Sequence, residues 1–369
     1  MELFKFVSNV YTTVFTEGRM INGALSVLWA ERYRDPGEFQ IVARLSSGLR
    51  EFLPIGTFIS HANTLEVMVV ENHEVQEVGM EDPTIVITGR SLDSYLENRI
   101  VGMNQVRASS TLQEYALAAN YSWNQIVTLI NDHIQHGTYT DDNLVNIFAT
   151  TNVTGTSPVN EARSVKRENL SKTVIGLLAI DDLGIKSVRR NTFGAADGSP
   201  NQTNLCIHRG VDKTASVIFS WKSGTIENAE YLWSDKKMKN SALVLGRYIN
   251  VVVDTPGMTN ANRRSMVVSG DDIDGNLGAP PTGGTLTTVV SKMQVRGREA
   301  LESQNRITIT RADVANVSQY QYRKDFQVGD LISLDGNFGQ MAVMRIVEYA
   351  EIQDENGENG HPTLAVPGT

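Results

Sequence analysis

The chain has 369 residues, a length that predicts more than one hydrophobic core. Its composition, 41% hydrophobic and 20% charged, is typical of a globular protein. Asp and Glu together number 42 against 33 for Lys and Arg, and the net charge of -9 disfavours a protein that grips nucleic-acid phosphates. The single cysteine, Cys206, excludes an intrachain disulfide and a multi-cysteine metal centre.

Residues 1–103 are predicted to form a first, barrel-like β domain. Short runs rich in Val, Ile, Leu and Thr alternate with turn residues such as Asp35-Pro36-Gly37. Strands of this length and spacing are typical of a small barrel or sandwich. The predicted strands are Gly23–Trp29, Phe39–Leu45, Thr64–His73 and Thr84–Thr88.

Residues 104–184 are predicted to be rich in helix. Ser110 with Gln113, and Ser122 with Gln125, each fit a capping box, so we expect a helix to begin at each serine. The second helix carries one apolar stripe and meets a C-terminal cap at Gly137. Its stripe consists of Ile126, Leu129, Ile130 and Ile134.

Two further helices are expected in this region, at Asn143–Ala149 and at Asn169–Leu183. Gly184 follows the second of them and is predicted to cap its C-terminal end. The intervening segment Thr150–Asn160 is rich in Thr, Ser, Asn and Gly, and this composition predicts an exposed loop.

Residues 185–290 are predicted to form a second β-containing domain, and 291–369 a helix followed by a C-terminal barrel-like segment. The helix spans Ser291–Gln304. The predicted strands are Ile185–Arg190, Leu205–His208, Ser216–Trp221, Ala242–Val253, Arg306–Thr310, Asp330–Leu334 and Met341–Tyr349.

Two segments have the composition of irregular structure. Asp254–Thr288 is rich in Gly and Pro, which predicts a long loop ordered by another subunit or tail protein. The polar segment Asp354–Thr369 is expected to fray unless a neighbouring chain holds it.

The sequence offers few candidates for chemistry, and the common signatures of phosphate-binding loops, serine hydrolases and zinc proteases do not occur in it. His133 and His136 are spaced to chelate a metal from one helix face, but solvated positions at a helix end are the alternative. A glycosidase pair among the many carboxylates stays open. We predict no enzyme activity and no catalytic, cofactor-binding or metal-binding residues.

Two acidic segments resemble calcium loops only in part. In the segment that contains Asp271, Asp272 and Asp274, Leu277 stands where such a loop needs glycine. The second segment contains Asp354, Asn356 and Glu358 and departs from the motif in the same way. Plain turns are the preferred interpretation of both.

Tryptophans and paired arginines are further candidates for a binding surface. Core packing is favoured over a sugar platform for Trp29, Trp123, Trp221 and Trp233. Arg189-Arg190 and Arg263-Arg264 indicate either a solvated face or a protein interface. The N-terminus lacks a secretory signal pattern, and no apolar stretch is long enough to span a membrane.

Four stretches in a defined order resemble the ReqiPepy-type siphovirus minor tail protein family of actinobacterial phages. Lys213 stands in the third stretch where that family usually has arginine, a mild departure. The stretches are Leu28–Phe39 with its Gly37-Glu38-Phe39, Ile87–Ile100 with its Gly89-Arg90, Arg209–Asn240, and Phe326–Leu331.

The resemblance implies an α+β, mostly β fold like phage baseplate hubs, with two small β-barrel domains and helix-containing domains that are partly discontinuous. It implies a structural, non-enzymatic hub at the tail tip of the virion, made in the host cytoplasm, that closes the tail tube. The implied assembly is a homotrimer. Its implied partners are the distal tail protein ring, the tape measure protein C-terminus and the central fibre or tip proteins, with DNA passing through unbound.

Two other functions are weighed against the hub. A tail-associated hydrolase would need a catalytic constellation that the sequence does not display. A receptor-binding tip protein would expose aromatic residues on loops, whereas Asp254–Thr288 contains no Trp, Tyr or Phe.

Overall fold

A computed structural model shows a mostly β protein that divides into two compact units. Unit 1 comprises Met1–Asn228 and Ala312–Pro367, and unit 2 comprises Ala229–Arg311 with the last two residues. Unit 1 is therefore built from two separated stretches of chain, which confirms the predicted discontinuity. The structure describes residues 1–6, 19–77, 82–103, 114–134, 147–153, 163–180, 182–189, 203–220, 222–234, 236, 238–274, 277, 279–302, 307–314, 319–335, 341–365 and 367.

A ten-stranded sheet dominates the described part of unit 1. Its strands are β1 (Leu3–Phe6), β2 (Ala24–Arg32), β3 (Glu38–Arg44), β4 (Phe58–His61), β5 (Val67–Gln76), β6 (Thr84–Ser91), β12 (Ile218–Ser220), β18 (Leu331–Asp335), β19 (Met341–Asp354) and β20 (Gly357–Ala365). They lie in the order β1-β4-β5-β6-β3-β2-β19-β18-β12, with β20 paired to β19. Short helices follow β3 and β6, namely α1 (Leu49–Phe52) and a 3-10 helix over Leu92–Asn98.

Alternating side chains give this sheet its core. Phe39, Ile41 and Ala43 of β3 are buried, whereas the residues between them are more exposed, as expected for a strand with one covered face. They pack with Trp29 of β2 in the same cluster. The β2–β3 pair is the antiparallel hairpin that the sequence predicted around Pro36-Gly37.

Gly89 lies inside β6, where β5 approaches too closely for a side chain. A Cβ atom at this position would lie 1.8 Å from the carbonyl oxygen of Val69 and 2.6 Å from the ring of Phe39. The glycine of the family-like Gly89-Arg90 pair is therefore required by strand packing. A 3-10 helix over Leu92–Asn98 follows this strand.

The rest of the described part of unit 1 combines helices with two small sheets. The elements are β7 (Glu114–Leu117), α2 (Ser122–Ile134), β8 (Ile147–Thr151), β9 (Arg163–Lys166), α3 (Leu170–Ile180), β10 (Gly184–Arg189) and β11 (Thr203–His208). In one sheet β11 pairs antiparallel with β10 and parallel with β8, and in the other β7 pairs with β9.

Helix α2 confirms the predicted helix and its apolar stripe, but no capping-box hydrogen bond between Ser122 and Gln125 is found among the described contacts. It begins at Ser122, and its whole predicted stripe is buried in the core cluster shared with α3. The Nε2 atom of Gln125 donates to the carbonyl oxygen of Ala118, upstream of the helix. The predicted cap at Gly137 lies outside the described residues.

Two helix predictions in this region were wrong. The helix expected from Ser110 would include Glu114–Leu117, which is strand β7, whereas Ser110–Gln113 lie outside the described residues. The helix expected over Asn143–Ala149 is replaced from Ile147 onward by strand β8, because Ile147 and Phe148 pair in parallel with Thr203 and Asn204. A distant partner strand decides the conformation there.

Helix α3 was predicted, but its end differs from the expected glycine cap. The left-handed residue after the helix is Asp182, with φ 51°. The backbone N–H of Leu183 donates to the carbonyl oxygen of Leu178. Gly184 instead opens β10, where a Cβ atom would lie 2.2 Å from the ring of Tyr33. The glycine there permits a close contact with Tyr33.

Unit 2 contains a three-stranded sheet, β15-β14-β16, with a long helix packed against it. The predicted strand Ala242–Val253 is a hairpin of two strands. The elements are β14 (Ser241–Leu245), β15 (Asn250–Asp254), β16 (Ser265–Ser269), α4 (Asp271–Asp274) and α5 (Gly283–Glu302). Two remaining strands, β13 (Ile226–Ser234) and β17 (Ile307–Val314), pair with each other.

The prediction of one long loop over Asp254–Thr288 was wrong. Ser265–Ser269 pairs in parallel with β14 of the same chain, and the predicted helix at Ser291 already begins at Gly283. Gly and Pro mark short turns between these elements. The ordering of this segment by a neighbouring chain is therefore unnecessary.

The expected fraying of Asp354–Thr369 was also wrong for most of that segment. Strand β20 forms an antiparallel hairpin with β19 from Asp354–Gly357 to Arg345–Ala365. Gly357 adopts φ 118° at the turn, a conformation that favours glycine. Among the helices that the structure describes, none has the length and apolarity needed to cross a membrane.

Candidate functional site

A buried ion cluster in unit 1 surrounds Arg323, which precedes β18. Its Nη2 atom lies 2.7 Å from Oε1 of Glu31 in β2, and its Nη1 atom lies 2.9 Å from Oε1 of Glu351 in β19. The hydroxyl of Tyr322 donates to Glu31 at 2.6 Å, and the Tyr322 ring stacks on Tyr349 at 3.6 Å between centroids. Arg323 has φ 67°, so these contacts hold a left-handed turn in place.

The pKa values of the two carboxyl groups in this cluster shift in opposite directions. Burial raises the pKa of Glu31, but Arg323 and the Tyr322 hydroxyl outweigh it and the net pKa is lowered. Burial raises the pKa of Glu351, and Arg323 only partly offsets it. Burial and the Arg323 charge lower the pKa of nearby His61 to about 4, so His61 is neutral at physiological pH. Arg323 is thus the cation that allows two carboxylates to be buried together.

A second, half-buried cluster surrounds Asp182, just after α3. Its carboxylate pairs with Arg34 at 2.7 Å and with Arg345 of β19. Arg345 also donates to the carbonyl oxygen of Arg209 at 2.8 Å, and its guanidinium lies 4.8 Å from the Tyr33 ring. The Tyr33 hydroxyl donates to the carbonyl oxygen of Asp182 at 2.7 Å. These contacts fasten the large sheet to the helical part of unit 1.

A cavity of about 200 Å³ lies beside the Arg323 cluster. Its walls come from β2, β10, residues 63–66 and residues 322–328. Glu66, which is only 6% exposed, lines it together with Lys186 and His208. Burial raises the pKa of Glu66 well above its usual value, and the charges of Glu31 and Asp93 raise it further. Burial lowers the pKa of His208 to about 3.

The structure gives His133 a packing role. The residue is buried on α2, and its Nδ1 atom donates to the carbonyl oxygen of Leu129 at 2.6 Å. Its Nε2 atom accepts the backbone N–H of Gly102 at 2.6 Å. Both ring nitrogens are occupied, so neither the metal ligand nor the solvated helix end describes His133. His136 lies outside the described residues.

The acidic turns are also occupied by structural hydrogen bonds. The Asp274 carboxylate accepts the backbone N–H groups of Arg247, Tyr248 and Ile249 at 2.7, 2.8 and 3.0 Å, and thereby closes the β14–β15 turn. The Asp354 carboxylate accepts the backbone N–H of Asn356 at 2.8 Å in the β19–β20 turn. The turn preferred from sequence is found at Asp354–Asn356, whereas Asp271–Asp274 forms the short helix α4 instead of a plain turn. No group of acids, histidines or cysteines in the described ranges is arranged to hold a metal ion.

Glu358 lies in β20, where its carboxylate is 3.0 Å from the amino group of Met1. Trp29 and Trp123 are each buried in a hydrophobic core of unit 1. The core packing that the sequence favoured for these two residues over a sugar platform is therefore found. Trp221 and Arg190 lie outside the described residues, as does the Trp233 side chain. Arg263 and Arg264 are exposed before β16, a position that permits the interface interpretation without testing it.

Neither ion cluster nor the cavity was expected from the sequence. Their members come from distant parts of the chain, and only folding brings them together. One local signal was present, because Arg345 interrupts the apolar run Met341–Val347 and Glu351 interrupts its continuation. A charged residue inside a predicted buried strand indicates a buried ion pair.

Comparison with known families gives a match over almost the whole chain. The model of the family described as Siphovirus ReqiPepy6 Gp37-like protein matches residues 9–364. A comparison with curated proteins gives no match.

Solved structures with the same fold include three tail proteins. The 43 kDa tail protein of prophage MuSo2 from Shewanella oneidensis is 12% identical, with a TM-score of 0.59 over 100% of this chain and 98% of that one. The tail protein from Neisseria meningitidis MC58 is 10% identical, with a TM-score of 0.55 over 94% and 93%. Prophage tail protein gp18 from Listeria monocytogenes EGD-e is 9% identical, with a TM-score of 0.55 over 100% and 96%.

Proposed function

Because this chain belongs to the Siphovirus ReqiPepy6 Gp37-like family, we propose that it is the baseplate hub that closes the tail tube at the tail tip. The observation that carries this proposal is the family match over residues 9–364, which spans both units. The solved tail proteins cover this chain from end to end, and their shared fold supports a structural role in the tail.

The internal contacts of unit 1 support the role of a rigid structural component of the tail. Two ion clusters and a ten-stranded sheet connect segments that are distant in sequence, so the unit resists local opening. The candidate ligands His133 and Asp274 are engaged in packing hydrogen bonds. These features support the adaptor and plug role over a tail-associated hydrolase.

The proposed assembly is a homotrimer in which the β domains of neighbouring copies meet side by side. Strands β1 and β12 end the large sheet, and β15 and β16 end the sheet of unit 2, within the described residues. Unpaired strand edges favour pairing with another chain. A closed ring covers such edges through heterologous contacts, in which one patch meets a different patch.

The proposed neighbours are the distal tail protein ring, the tape measure protein C-terminus and the central fibre or tip proteins. The exposed Arg263 and Arg264 are candidates for one such interface. DNA leaves through the centre without specific binding, because a chain of net charge -9 repels phosphates.

Antibody labelling of intact virions tests the proposed position. Negative-stain images with an antibody raised against this chain should show label at the tail tip. Label along the tail shaft or at the head would overturn the proposal, and label on the side fibres would favour the receptor-binding alternative.

A further inference from the structure

Within the described residues, both edges of the three-stranded sheet in unit 2 are free, because β15 and β16 each pair only with β14. The sequence of β15 is Asn-Val-Val-Val-Asp, and that of β16 is Ser-Met-Val-Val-Ser. Proteins usually protect a free edge with a proline, a lysine or a bulge. Neither strand contains a proline or a lysine, and neither shifts its register against β14. Both edges are therefore open to pairing with a further strand.

The backbone of β16 directs every second residue toward its free edge. The carbonyl oxygen of Arg264, just before the strand, accepts the N–H of Ser241 at 3.3 Å. The N–H of Gly270, just after the strand, donates to the carbonyl oxygen of Leu245 at 2.6 Å. Even-numbered positions of β16 thus face β14, because successive residues of a strand point their N–H and C=O groups to opposite sides. The residues that face the free edge are Ser265, Val267 and Ser269.

The backbone of β15 is arranged in the same way. The N–H of Thr255, just after the strand, donates to the carbonyl oxygen of Asn240 at 3.0 Å. The carbonyl oxygen of Ile249, just before the strand, accepts the N–H of Gly246 at 2.9 Å. Odd-numbered positions of β15 thus face β14. The residues that face the free edge are Asn250, Val252 and Asp254.

The two edges match each other in direction and length. Strand β15 is antiparallel to β14 and β16 is parallel to it, so the two edge strands run in opposite directions. A second copy, rotated about an axis along the strands, therefore brings its β15 antiparallel to β16 of the first copy, with α5 on the same side of both sheets. Both strands have five residues. Full overlap places the edge-facing residues opposite each other, as Ser265 with Asp254, Val267 with Val252, and Ser269 with Asn250.

The apolar side chains continue across this contact. Val252 is 57% exposed and Val267 65% exposed, and both flank Leu243 of β14 in one row. The row lies on the face opposite α5, because the alternate residues Val251 and Val253 pack in the cluster that contains the helix. In the overlapped register Val267 meets Val252 of the next copy, and pairs of β-branched residues across strands are stabilising.

The ends of the two strands carry opposite charges. Asp254 ends β15, and Arg263 lies two positions before Ser265, the first residue of β16. Both charged side chains are exposed. In the antiparallel register Arg263 comes within diagonal reach of Asp254 of the next copy, where opposite charges attract. Charge complementarity therefore favours a second copy of this chain as the partner of the edge.

We propose that β16 of one copy pairs antiparallel with β15 of the next copy, with Val267 opposite Val252, and that three such joints close the homotrimer. The inference rests on the proposed homotrimer, whose joints it assigns to one pair of strands. Each joint brings two different edges together, which is the heterologous contact that a ring requires. One carbonyl group at the joint has a further contact, because that of Ser269 accepts from the Arg296 side chain at 3.4 Å. Its second lone pair is available to the neighbouring strand.

Disulfide cross-linking in purified virions tests the register. In a variant with both Asn250→Cys and Ser269→Cys, the two cysteines of one chain lie on either side of β14, about 10 Å apart between Cα atoms and too far for a disulfide. Across the joint the same positions are about 5.5 Å apart, within disulfide range. Oxidation by dioxygen with copper phenanthroline should therefore give covalent trimers of the chain on a non-reducing gel.

A displaced pair of cysteines is the matched control. Asp254→Cys combined with Ser269→Cys uses the same two strands, but places the cysteines about 14 Å apart along the joint. We expect at least about tenfold less covalent trimer from this pair, because the distance exceeds the reach of a disulfide. The wild-type chain, which has only Cys206, measures the background.

A proline at the edge tests the backbone pairing separately. Because the N–H of Val267 faces the free edge, Val267→Pro removes no hydrogen bond between β16 and β14, but it removes a donor from the joint. We expect incorporation of this variant into virions to fall at least about tenfold on immunoblots, with native circular dichroism of the purified protein. Val267→Thr keeps the N–H and a β-branched side chain, and should be incorporated like wild type.

Equal trimer yields from the matched and displaced cysteine pairs would overturn the proposed joint. So would wild-type incorporation of Val267→Pro, and if that variant does not fold, the comparison of the cysteine pairs decides. A tip reconstruction with three copies but no covalent trimer from the matched pair would overturn this inference and leave the proposed function intact. Covalent trimers from virions whose antibody label lies away from the tip would support the joint and overturn the proposed position.

Discussion

The Nη2 atom of Arg323 lies 2.7 Å from Oε1 of Glu31, although 292 positions separate the two residues along the chain. The same guanidinium reaches Glu351 of β19 at 2.9 Å. Strand β2 pairs directly with β19, so both carboxylates project from adjacent strands toward one cation. This ion cluster fastens the start of the chain to its second half within unit 1.

Loss of the central cation should destabilise the protein strongly. Arg323→Met leaves Glu31 and Glu351 buried without a counter-ion, and we expect the free energy of unfolding to fall by about 3–5 kcal/mol. Lys324→Met changes the exposed neighbour and should alter it by less than about 0.5 kcal/mol. Urea denaturation measures both, and equal stability of the two variants would contradict the cluster's role.

Two glycines with opposite surroundings provide a matched pair. Gly89→Ala places a Cβ atom 1.8 Å from the carbonyl oxygen of Val69, so we expect a loss of about 3 kcal/mol or more. Gly176→Ala lies on α3 with no heavy atom within 4 Å of the new Cβ, and should stabilise the protein by about 0.5–1 kcal/mol. Thermal unfolding compares them. A tolerated Gly89→Ala would show that β5 and β6 do not approach as described.

Asp93 should make stability depend on pH. Burial raises its pKa from 3.8 to about 6, so the folded state binds the extra proton and stability falls as pH rises from about 4 to about 6. Asp93→Asn removes this dependence. Its stability relative to wild type should therefore increase by about 2.4 kcal/mol between pH 4 and pH 7. Urea denaturation across this range is the measurement, and a pH-independent difference between the two proteins would refute the assignment.

Elements with strong local patterns were predictable from sequence. Helix α2 follows from the spacing of Ile126, Leu129, Ile130 and Ile134, because that stripe alone defines a buried helix face. Strands β2, β3, β5, β6, β18 and β19 of the large sheet were expected from their apolar runs, whereas β1, β4 and β20 were not predicted. In contrast, Ile147–Ala149 becomes strand only because β11 lies beside it, and no local signal reports a parallel partner 56 residues away in the chain.

The strand and the helix start within Asp254–Thr288 could not be predicted from sequence for a related reason. Its Gly and Pro residues do mark turns, but Ser265–Ser269 between them is too short to display a pattern of its own. Its pairing with β14 gives it structure. Arg345 and Glu351 in an apolar strand signal buried charge, but their partners in the Arg323 and Asp182 clusters could not be predicted, since each cluster joins side chains from separate segments of unit 1.

The central claim is that this chain is the homotrimeric hub at the tail tip, and a reconstruction of the tip from purified virions tests it most directly. We predict three copies of this chain arranged around the tail axis, with the edge strands of each copy covered by a neighbouring chain. Six copies, a single copy, or an absence of the chain from the tip would contradict the account.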